Sequence, residues 1–373
     1  MLARLRLGTR SASGRKYPES SHPYRTDFQR DRDRIIHSRA FRRLEGKTQV
    51  FAPDLCDHFR NRLTHTIEVS QLARTVASVL DLNEEYTETL ALAHDLGHPP
   101  FGHAGEAELD RQMKRASMSF EHNVHALRIV DLLEHRYARF PGLNLTFEVR
   151  EGIVKHSREV SAETEPELRE FLPEQRPPLE AQLIDLADEI AYNTADIDDA
   201  FSAGLLSLDD LSAAVPAFAE LREQVAASFP GASGQVQFWE IRRQIINILI
   251  GGLIEGTRDA AEEVGVETAQ DVRMLGHRLA SLTPPASEIR SQIKTLLLTR
   301  VYAQGKLREE RAEALEKMRE LFEFLLAHPD RIPAAHEDTF ADAPLQRIVC
   351  DYVAGMTDAY LLRMHRALLS THA

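Results

Sequence analysis

The most informative stretch of the sequence is HDLGHPPFGH, residues 94–103. It joins the end of one predicted helix to the start of the next, because glycine and proline both end helices. His94 and Asp95 would then lie near a helix terminus, where two neighbouring side chains can still reach one ion. Imidazole nitrogen and carboxylate oxygen are both good ligands for divalent metals. The stretch therefore indicates a helical protein with a metal site at a helix end.

Helical periodicity dominates on both sides of this stretch. Before it, apolar residues recur at helical spacing and predict helices over 27–44, 63–80 and 84–95. After it, helices are predicted to start near Ala104 and to cover 122–134, 147–156, 179–201, 207–227, 236–260, 286–303, 306–329 and 342–370. Runs of alternating β-branched residues are scarce. The predicted fold class is therefore all-α.

The chain divides into three predicted regions by composition. Residues 1–24 are rich in serine, arginine and proline and predict an extended basic N-terminal arm, an interpretation we prefer to a transit peptide. Residues 25–205 contain the candidates for the chemistry and are predicted to form the core domain. Residues 206–373 are predicted to be a helical region that packs on this core. The acidic, proline-bearing stretch 157–178 is interpreted as an exposed insertion.

Overall composition excludes several classes of protein. The 373 residues are 43% hydrophobic and 28% charged, as in an ordinary soluble domain. No apolar run approaches the roughly 20 residues that cross a bilayer, so no membrane partner is expected. The two cysteines, Cys56 and Cys350, are too few for a disulfide framework and favour the cytoplasm. A net charge of -13 argues against a nucleic-acid coat protein, although a bound cation still allows an anionic substrate.

Two further residues turn the pair of His94 and Asp95 into a candidate metal site. Alone, such a pair occurs often by chance and is better interpreted as a capping or surface pair. His65 lies in the preceding amphipathic helix, and Asp188 lies in the long helix downstream. The four side chains form a mixed nitrogen and oxygen set on three predicted helices. Such a set leaves coordination positions for water and phosphate oxygens, as a catalytic site requires.

The helix that carries Asp188 presents two more candidates. Tyr192 and Asp196 follow Asp188 by four and eight residues, so all three share one helical face. The alternative interpretation is a solvated acidic face, because Asp185 and Glu189 lie nearby. An acidic face does not explain a tyrosine one turn beyond the candidate ligand. The spacing therefore favours a substrate-binding face.

A group of histidines follows the metal pair. His103 starts a predicted helix, and Glu106 lies three residues on, where a carboxylate can hold the imidazole in one tautomer and raise its basicity. His98 and His122 belong to the same short span of sequence. Their clustering indicates a shared pocket rather than unrelated core histidines. His125 lacks this context and is expected at the surface.

Basic residues are candidates for binding phosphate. Arg62 precedes His65 by three residues and shares its helical face, and Lys155 ends another predicted helix. A guanidinium group suits phosphate because it offers several fixed donors. For either residue the alternative is a surface salt bridge.

At these residues the chain strongly resembles the deoxynucleoside triphosphate triphosphohydrolases of the HD superfamily, in particular the bacterial dGTPase-like type. The resemblance runs from about Tyr17 to Asp199, and the C-terminal third resembles the family only in being helical. It is carried by DRDRIIHSRAFRRL (31–44), KTQVF (47–51), RLTH (62–65), the 94–103 stretch, GE (105–106), FEHN (120–123) and DEIAY (188–192). These strings are far more specific than the His-Asp pair alone.

The resemblance implies an HD-domain helical core with additional C-terminal helices. Family members cleave a dNTP into a 2'-deoxynucleoside and intact triphosphate. By resemblance, one divalent ion would be held by His65, His94, Asp95 and Asp188. Mg or Mn is favoured, although a mixed donor set does not choose sharply between these ions and Fe, Co or Ni.

The resemblance also implies roles for the remaining candidates. His103, steadied by Glu106, would activate the nucleophile at the α-phosphate or protonate the leaving 5' oxygen. His122 is a second candidate for that proton donor, and the resemblance does not decide between them. Tyr192 would pack under the sugar and exclude a ribose 2'-OH. The implied substrate contacts are Gln49 and Asp196 at the 3'-OH, Arg62 and Lys155 at the phosphates, and Asn123.

Partners and competing functions follow from the same residues. Family members form ring-like oligomers in which neighbours complete nucleotide sites, so a homo-oligomer and a dNTP activator are expected partners. A different HD phosphohydrolase, acting on a nucleoside monophosphate, a cyclic nucleotide or an alarmone, would use the same metal site. A nucleotide- or single-stranded-DNA-binding regulator is the third hypothesis. Only the arginine-rich segments 1–16 and 28–43 support it, and the acidic net charge opposes it.

Overall fold

The computed structural model describes residues 1–49, 60–163, 165–333 and 343–369, except for the side chains of residues 306 and 307. Within these ranges the regular structure is helical, and β pairing is limited to isolated bridges. The all-α prediction is confirmed. In the same ranges, we find no helix that is both long and apolar enough to cross a membrane.

The α-helices of the described residues are numbered in chain order. They are α1 (Asp27–Ile36), α2 (Arg39–Arg43), α3 (Arg62–Val79), α4 (Glu84–Ala93), α5 (Gly102–Lys114), α6 (His122–Arg128), α7 (Phe147–Lys155), α8 (Leu179–Ser202), α9 (Leu208–Ala214), α10 (Pro216–Ser228), α11 (Gly234–Val264), α12 (Ala269–Arg273), α13 (Pro284–Leu296), α14 (Gly305–Ala327), α15 (Leu345–Ala354) and α16 (Asp358–Leu369). Short 3-10 segments lie at Ala3–Leu5, Leu44–Gly46, Pro166–Phe171 and Pro329–Arg331, and short π segments lie at Ile129–Leu133 and Leu297–Val301.

The chain divides into two compact units, each built from three segments. The first unit comprises Met1–Leu7, Glu68–Thr87 and Glu159–Leu307, and the second comprises Gly8–Ile67, Glu88–Arg158 and Arg308–Ala373. Helices α8 to α13 belong to the first unit, whereas α1, α2, α5, α6, α7, α15 and α16 belong to the second. The division into an arm, a core domain and a C-terminal region stays a prediction.

In the first unit, α8 packs against α11 and α13. Two glycines of α11 allow this close packing. A Cβ atom at Gly252 would lie 2.3 Å from the Cβ atom of Ala286, and one at Gly256 would lie 2.6 Å from the carbonyl oxygen of Ser281. A larger residue at either position would force the chain apart. The absence of side chains at these two glycines therefore allows the start of α13 and the residues before it to approach α11 closely.

In the second unit, α5 packs against α15. Leu109 of α5, Phe322 of α14 and Val353 of α15 belong to one core cluster and are at most 1% exposed. Burying each such side chain stabilises the fold by roughly 1.5–3 kcal/mol. Packing therefore fixes the position of helix α5, including the backbone of its first residues.

Several predicted helices are interrupted, each for a local reason. The helix predicted over 27–44 breaks at Ser38, whose Oγ accepts a hydrogen bond from the Phe41 amide at 3.0 Å and so caps α2. The helix predicted over 207–227 breaks before Pro216, which begins α10. Sequence periodicity does not detect such breaks because the apolar spacing continues across them.

The structure corrects the interpretation of residues 157–178 as an exposed insertion. Leu168 and Phe171, in the 3-10 segment of this stretch, are at most 1% exposed. Val160 is buried as well, so the stretch contributes at least three apolar side chains to the core of the first unit. Its acidic and proline-rich composition concealed them.

Candidate active site

His94 and Asp95 lie in the turn that directly follows α4, and both are buried. The Nδ1 atom of His94 lies 2.7 Å from the carbonyl oxygen of Ala91. This contact requires the proton on Nδ1, so the lone pair of Nε2 is directed away from the backbone and can serve a metal. The ring of His65, in α3, is 5.8 Å from the ring of His94, measured between centroids. The second unit thus brings three of the four predicted metal ligands together.

Asp95 is held by two further side chains of the same unit. Its Oδ2 accepts a hydrogen bond from Arg62 Nη1 at 2.7 Å, and its Oδ1 lies 3.1 Å from His98 Nε2. Burial would raise the pKa of Asp95, but the positive charge of Arg62 holds it well below its usual range. The carboxylate is therefore ionised, as a metal ligand must be. Arg62, predicted to bind phosphate, contacts this candidate ligand.

A second cluster surrounds Glu106, one turn into α5. Its Oε2 lies 3.0 Å from His103 Nδ1, and its Oε1 lies 2.7 Å from His122 Nδ1. The same Oε1 also accepts a hydrogen bond from the His122 amide at 2.8 Å. The ring of His98 stacks on that of His122 with centroids 4.1 Å apart. The predicted pairing of His103 with Glu106 is present, and one carboxylate holds two imidazoles. His98, His103, Glu106 and His122 can each offer one ligand atom such that the four atoms lie within 4.8 Å of one another, close enough to hold a metal ion.

The charges in this cluster differ from one residue to the next. Burial would raise the pKa of Glu106, but its hydrogen bonds to His103 and His122 hold it well below the usual range. Burial opposes protonation of His122 as well, yet the bond to Glu106 raises its pKa above the ordinary value. Burial and the charge of Arg62 lower the pKa of His98 well below the ordinary value. His122 thus favours the cation, whereas His98 stays neutral.

The backbone between the two clusters makes an unusual turn. A Cβ atom at Gly97 would lie 1.9 Å from the carbonyl oxygen of His122, so only glycine fits there. Phe101 and Gly102 both have positive φ, at 63° and 58°. Phe101 is therefore in the left-handed region, which non-glycine residues rarely adopt. This turn directs His103 out of α5, where its side chain is 78% exposed.

The other predicted substrate residues of the second unit have mixed surroundings. Gln49 is half-buried, and its Oε1 has no hydrogen-bond partner among the described residues. Asn123 is buried and donates from Nδ2 to Ser157 Oγ at 3.0 Å. Lys155 is fully buried and pairs with Glu151 at 3.0 Å, so the salt bridge lies in the interior and not at the surface.

The three residues predicted on one face of α8 lie in the first unit. Asp188 is half-buried. The hydroxyl of Tyr192 donates to Glu189 at 3.4 Å, and burial raises the pKa of Tyr192 well above its ordinary value. Asp196 is buried and accepts a hydrogen bond from the Tyr302 hydroxyl. Tyr192 therefore stays a neutral donor.

Three features of the second unit were not predicted from the sequence. His125, expected at the surface, is buried, and its Nδ1 lies 3.3 Å from an Asp351 oxygen, so that prediction was wrong. Lys47 is buried, and burial lowers its pKa to about 7. Asp358 contacts the turn that carries His103. Lys47 lies within one of the strings that carry the resemblance, but no sequence signal distinguishes Asp358 from other acids near the C-terminus.

Family models match two parts of the chain. The HD domain matches residues 62–193, and the phosphohydrolase-associated domain matches residues 280–367. The first match contains the four predicted metal ligands and the histidine cluster. The second match shows that the likeness extends into the C-terminal third, where sequence analysis found only a shared helical character.

Relatives from several organisms are similar over nearly the whole chain. A "deoxyguanosinetriphosphate triphosphohydrolase-like protein" of Thiobacillus denitrificans is 46% identical over 358 residues, which cover 95% of this chain and 94% of the relative. Proteins of the same name from Ralstonia nicotianae and Geobacter sulfurreducens are 46% and 42% identical, each covering 96% of this chain and 92% of the relative. The chain therefore belongs to the deoxyguanosinetriphosphate triphosphohydrolase-like family of HD-domain hydrolases.

Proposed function

We propose that this hydrolase binds one divalent metal ion and cleaves a dNTP into a 2'-deoxynucleoside and triphosphate. The observation that carries the proposal is the Glu106 carboxylate, which holds both His103 and His122 at hydrogen-bonding distance. A metal site alone would suit many phosphohydrolases. Paired imidazoles on one carboxylate add the means to move a proton at the reacting phosphate.

The donor set of the second unit fits a divalent ion. His65 and His94 supply imidazole nitrogens, the tautomer of His94 leaves Nε2 for coordination, and Asp95 is ionised. Asp188, assigned by the family resemblance, is the fourth ligand in this proposal. We favour Mg or Mn, with Fe, Co or Ni as the alternatives that an assay must compare. When bound, the ion would act as a Lewis acid on a phosphate oxygen.

The histidine cluster is suited to proton transfer. Hydrolysis of the bond between the α-phosphorus and the 5' oxygen requires a proton for the leaving alkoxide and a base for the attacking water. The raised pKa of His122 favours it as the source of the proton. His103 is the exposed member of the pair and can reach a bound phosphate. The shared Glu106 keeps both rings oriented.

Substrate recognition is assigned to the remaining residues of the prediction. The buried Oε1 of Gln49 has no hydrogen-bond partner within the described part of the chain, which suits a hydroxyl donor such as the 3'-OH. Tyr192 and Asp196 would contact the sugar, and Tyr192 would exclude a ribose. Arg62, Asn123 and Lys155 each pair with a side chain of the second unit. We assign Arg62 and Lys155 to the phosphates and Asn123 to substrate binding without a more specific position.

Product analysis tests the reaction. The purified protein is incubated with each dNTP and each NTP in the presence of Mg or Mn, and the products are separated by chromatography. We expect deoxynucleoside and tripolyphosphate from a dNTP and little turnover of NTPs. Release of orthophosphate or pyrophosphate would point to another HD phosphohydrolase. Absence of turnover with every nucleotide, with salt-dependent binding of single-stranded DNA, would favour a regulator.

Metal content tests the ligand assignment. We expect Asp188→Ala and His94→Ala to lose bound metal and turnover together, because removal of one ligand weakens a four-ligand site severely. Asp198→Ala is the matched control, since Asp198 lies on the same helix and contacts Arg242. Inductively coupled plasma mass spectrometry measures the metal. Full metal content in Asp188→Ala would remove Asp188 from the site.

A further inference from the structure

The loop over residues 97–102 connects the HD pair to His103. It contains two consecutive residues with positive φ, Phe101 and Gly102. A non-glycine residue in the left-handed region is strained and persists only when its surroundings hold it. The side chain of His103 is exposed, so its position depends on this backbone and on Glu106. Contacts that hold the loop therefore control where His103 lies.

Lys47 holds the start of this loop. Its Nζ donates to the carbonyl oxygen of His98 and, at 3.1 Å, to the carbonyl oxygen of Ala354 at the end of α15. Lys47 is 3% exposed. A buried lysine usually pairs with an acid, but Lys47 donates these two hydrogen bonds to backbone carbonyls. The ammonium group thus ties the first half of the loop to the C-terminal helices through two backbone carbonyls.

Asp358 holds the end of the loop. Its Oδ1 accepts a hydrogen bond from the Phe101 amide at 3.1 Å, and its Oδ2 accepts one from the Thr48 amide at 2.8 Å. One carboxylate therefore bridges the residue after Lys47 and the left-handed residue of the loop. The segments also approach closely, because a Cβ atom at Gly46 would lie 2.8 Å from Thr357 Cγ2. Hydrogen bonds to an ionised acceptor are stronger than neutral ones.

We propose that Lys47 and Asp358 are positioning residues, which hold the loop 97–102 at its two ends and thereby set the orientation of His103. This inference rests on the proposed function, in which His103 acts on the substrate. Neither residue belongs to the predicted site, and Asp358 comes from the C-terminal segment. The C-terminal helices thus have a part in the chemistry although they contribute no group to it.

Hydrogen exchange with mass spectrometry tests the Asp358 contact directly. Asp358→Asn leaves one acceptor oxygen for two amides and adds a donor. We expect a peptide that contains Phe101 to exchange about tenfold faster, because a protecting hydrogen bond is lost. His365→Asn is the matched control, since His365 lies on α16 and pairs with Glu320. Unchanged exchange at Phe101 in Asp358→Asn would overturn the role of Asp358 even if the protein hydrolysed no dNTP.

Steady-state kinetics tests the consequence for His103. We expect Asp358→Asn to lower kcat by roughly 10- to 100-fold with KM changed less than about threefold, because a small misplacement of a reacting group mainly affects the chemical step. The melting temperature should stay close to that of His365→Asn. A kcat equal to the wild-type value, with faster exchange at Phe101, would show that the loop is held but does not control His103, and would overturn the proposal.

Lys47→Met separates positioning from stability. Methionine keeps an unbranched stem of similar length, but it leaves the carbonyl oxygens of His98 and Ala354 without this donor, so the midpoint of urea unfolding should fall while the protein stays folded. We nevertheless expect kcat to fall roughly tenfold, because the His98 carbonyl is released. A variant that loses stability and activity in proportion would reduce Lys47 to a packing residue. If the wild-type protein shows no turnover with any dNTP, the exchange of the Phe101 amide in Asp358→Asn still decides whether Asp358 holds the loop.

Discussion

Two histidines of α6, His122 and His125, lie one turn apart, each beside a carboxylate, and they differ in charge. His122 contacts Glu106. Burial alone would lower the pKa of His122, but the contact with this carboxylate outweighs burial and raises it. His125 contacts Asp351, but burial lowers its pKa despite that neighbour. The same pairing of imidazole with carboxylate thus favours the cation at one position and the neutral ring at the other.

The difference lies in what else each carboxylate binds. Asp351 forms an ion pair with Arg128, which already neutralises its charge, and Arg128 and Lys47 both oppose a charge on His125. Among the described residues, the ion-pair partners of Glu106 are the two histidines His103 and His122, and no arginine or lysine. The permanent cation of Arg128 offsets the charge of Asp351, whereas the charge of Glu106 is shared with imidazoles, which can gain or lose a proton near neutral pH.

The strongest test of this comparison is Glu106→Gln. The variant keeps the size of the side chain but removes the charge that orients both imidazoles and raises the pKa of His122. We expect kcat to fall by roughly 10²- to 10⁴-fold, the range typical of lost acid-base catalysis, with the melting temperature nearly unchanged. Activity within tenfold of the wild type would show that the histidines do not need this carboxylate.

Asp351→Ala should have the opposite signature. It leaves Arg128 without its acid in a place where Asp351 is 1% exposed. Loss of one partner of a buried pair costs about 3 kcal/mol, at the low end of the usual range because Arg128 keeps some solvent contact. Urea unfolding measures this loss. Turnover per folded molecule should stay within about threefold, and a loss as large as that of Glu106→Gln would erase the distinction between the two carboxylates.

The dependence of kcat on pH tests whether the activity requires protonated His122. The raised pKa of His122 means that its cation persists above the ordinary value and is lost as the pH rises through the raised pKa. We therefore expect kcat to fall on the alkaline side. In the residual activity of Glu106→Gln, this limb should move to lower pH by about one unit or more, because an opposite charge has been removed.

His125→Asn is the control for that profile. His125 is buried and neutral, so its removal should leave the alkaline limb where it is in the wild type. The groups that face His122 are Glu106, Glu121, Asp95 and the rings of His98 and His103. A shift in His125→Asn would mean that the limb belongs to another group.

Sequence analysis predicted the helices that carry the chemistry better than the contacts that hold them. The stretch 94–103 contains its own helix-ending residues, so the turn with His94, Asp95 and His103 was predictable from local rules. The pairing of His103 with Glu106 was also predictable, because it depends on helical spacing alone. The metal ligands themselves stay a prediction.

Contacts distant in sequence could not be predicted in this way. Asp358 is 257 positions from Phe101, and Asp351 is 223 positions from Arg128. No periodicity links such residues, because their proximity comes from tertiary packing. His125 was misassigned for the same reason, since its burial depends on α15 and not on its neighbours in α6.

The smallest expected effect concerns Glu121, the second acid beside His122. Its carboxylate lies 3.5 Å from His122 Nδ1 and also caps α6 by accepting hydrogen bonds from the Asn123 and Val124 amides at 3.2 and 3.0 Å. Glu121→Gln keeps an oxygen for the cap, so stability should change by less than about 1 kcal/mol. The alkaline limb should still move to lower pH by a few tenths of a unit, because a half-exposed charge acts weakly at this distance. A shift as large as that of Glu106→Gln would mean that net charge, and not the hydrogen bond from Glu106, sets the protonation of His122.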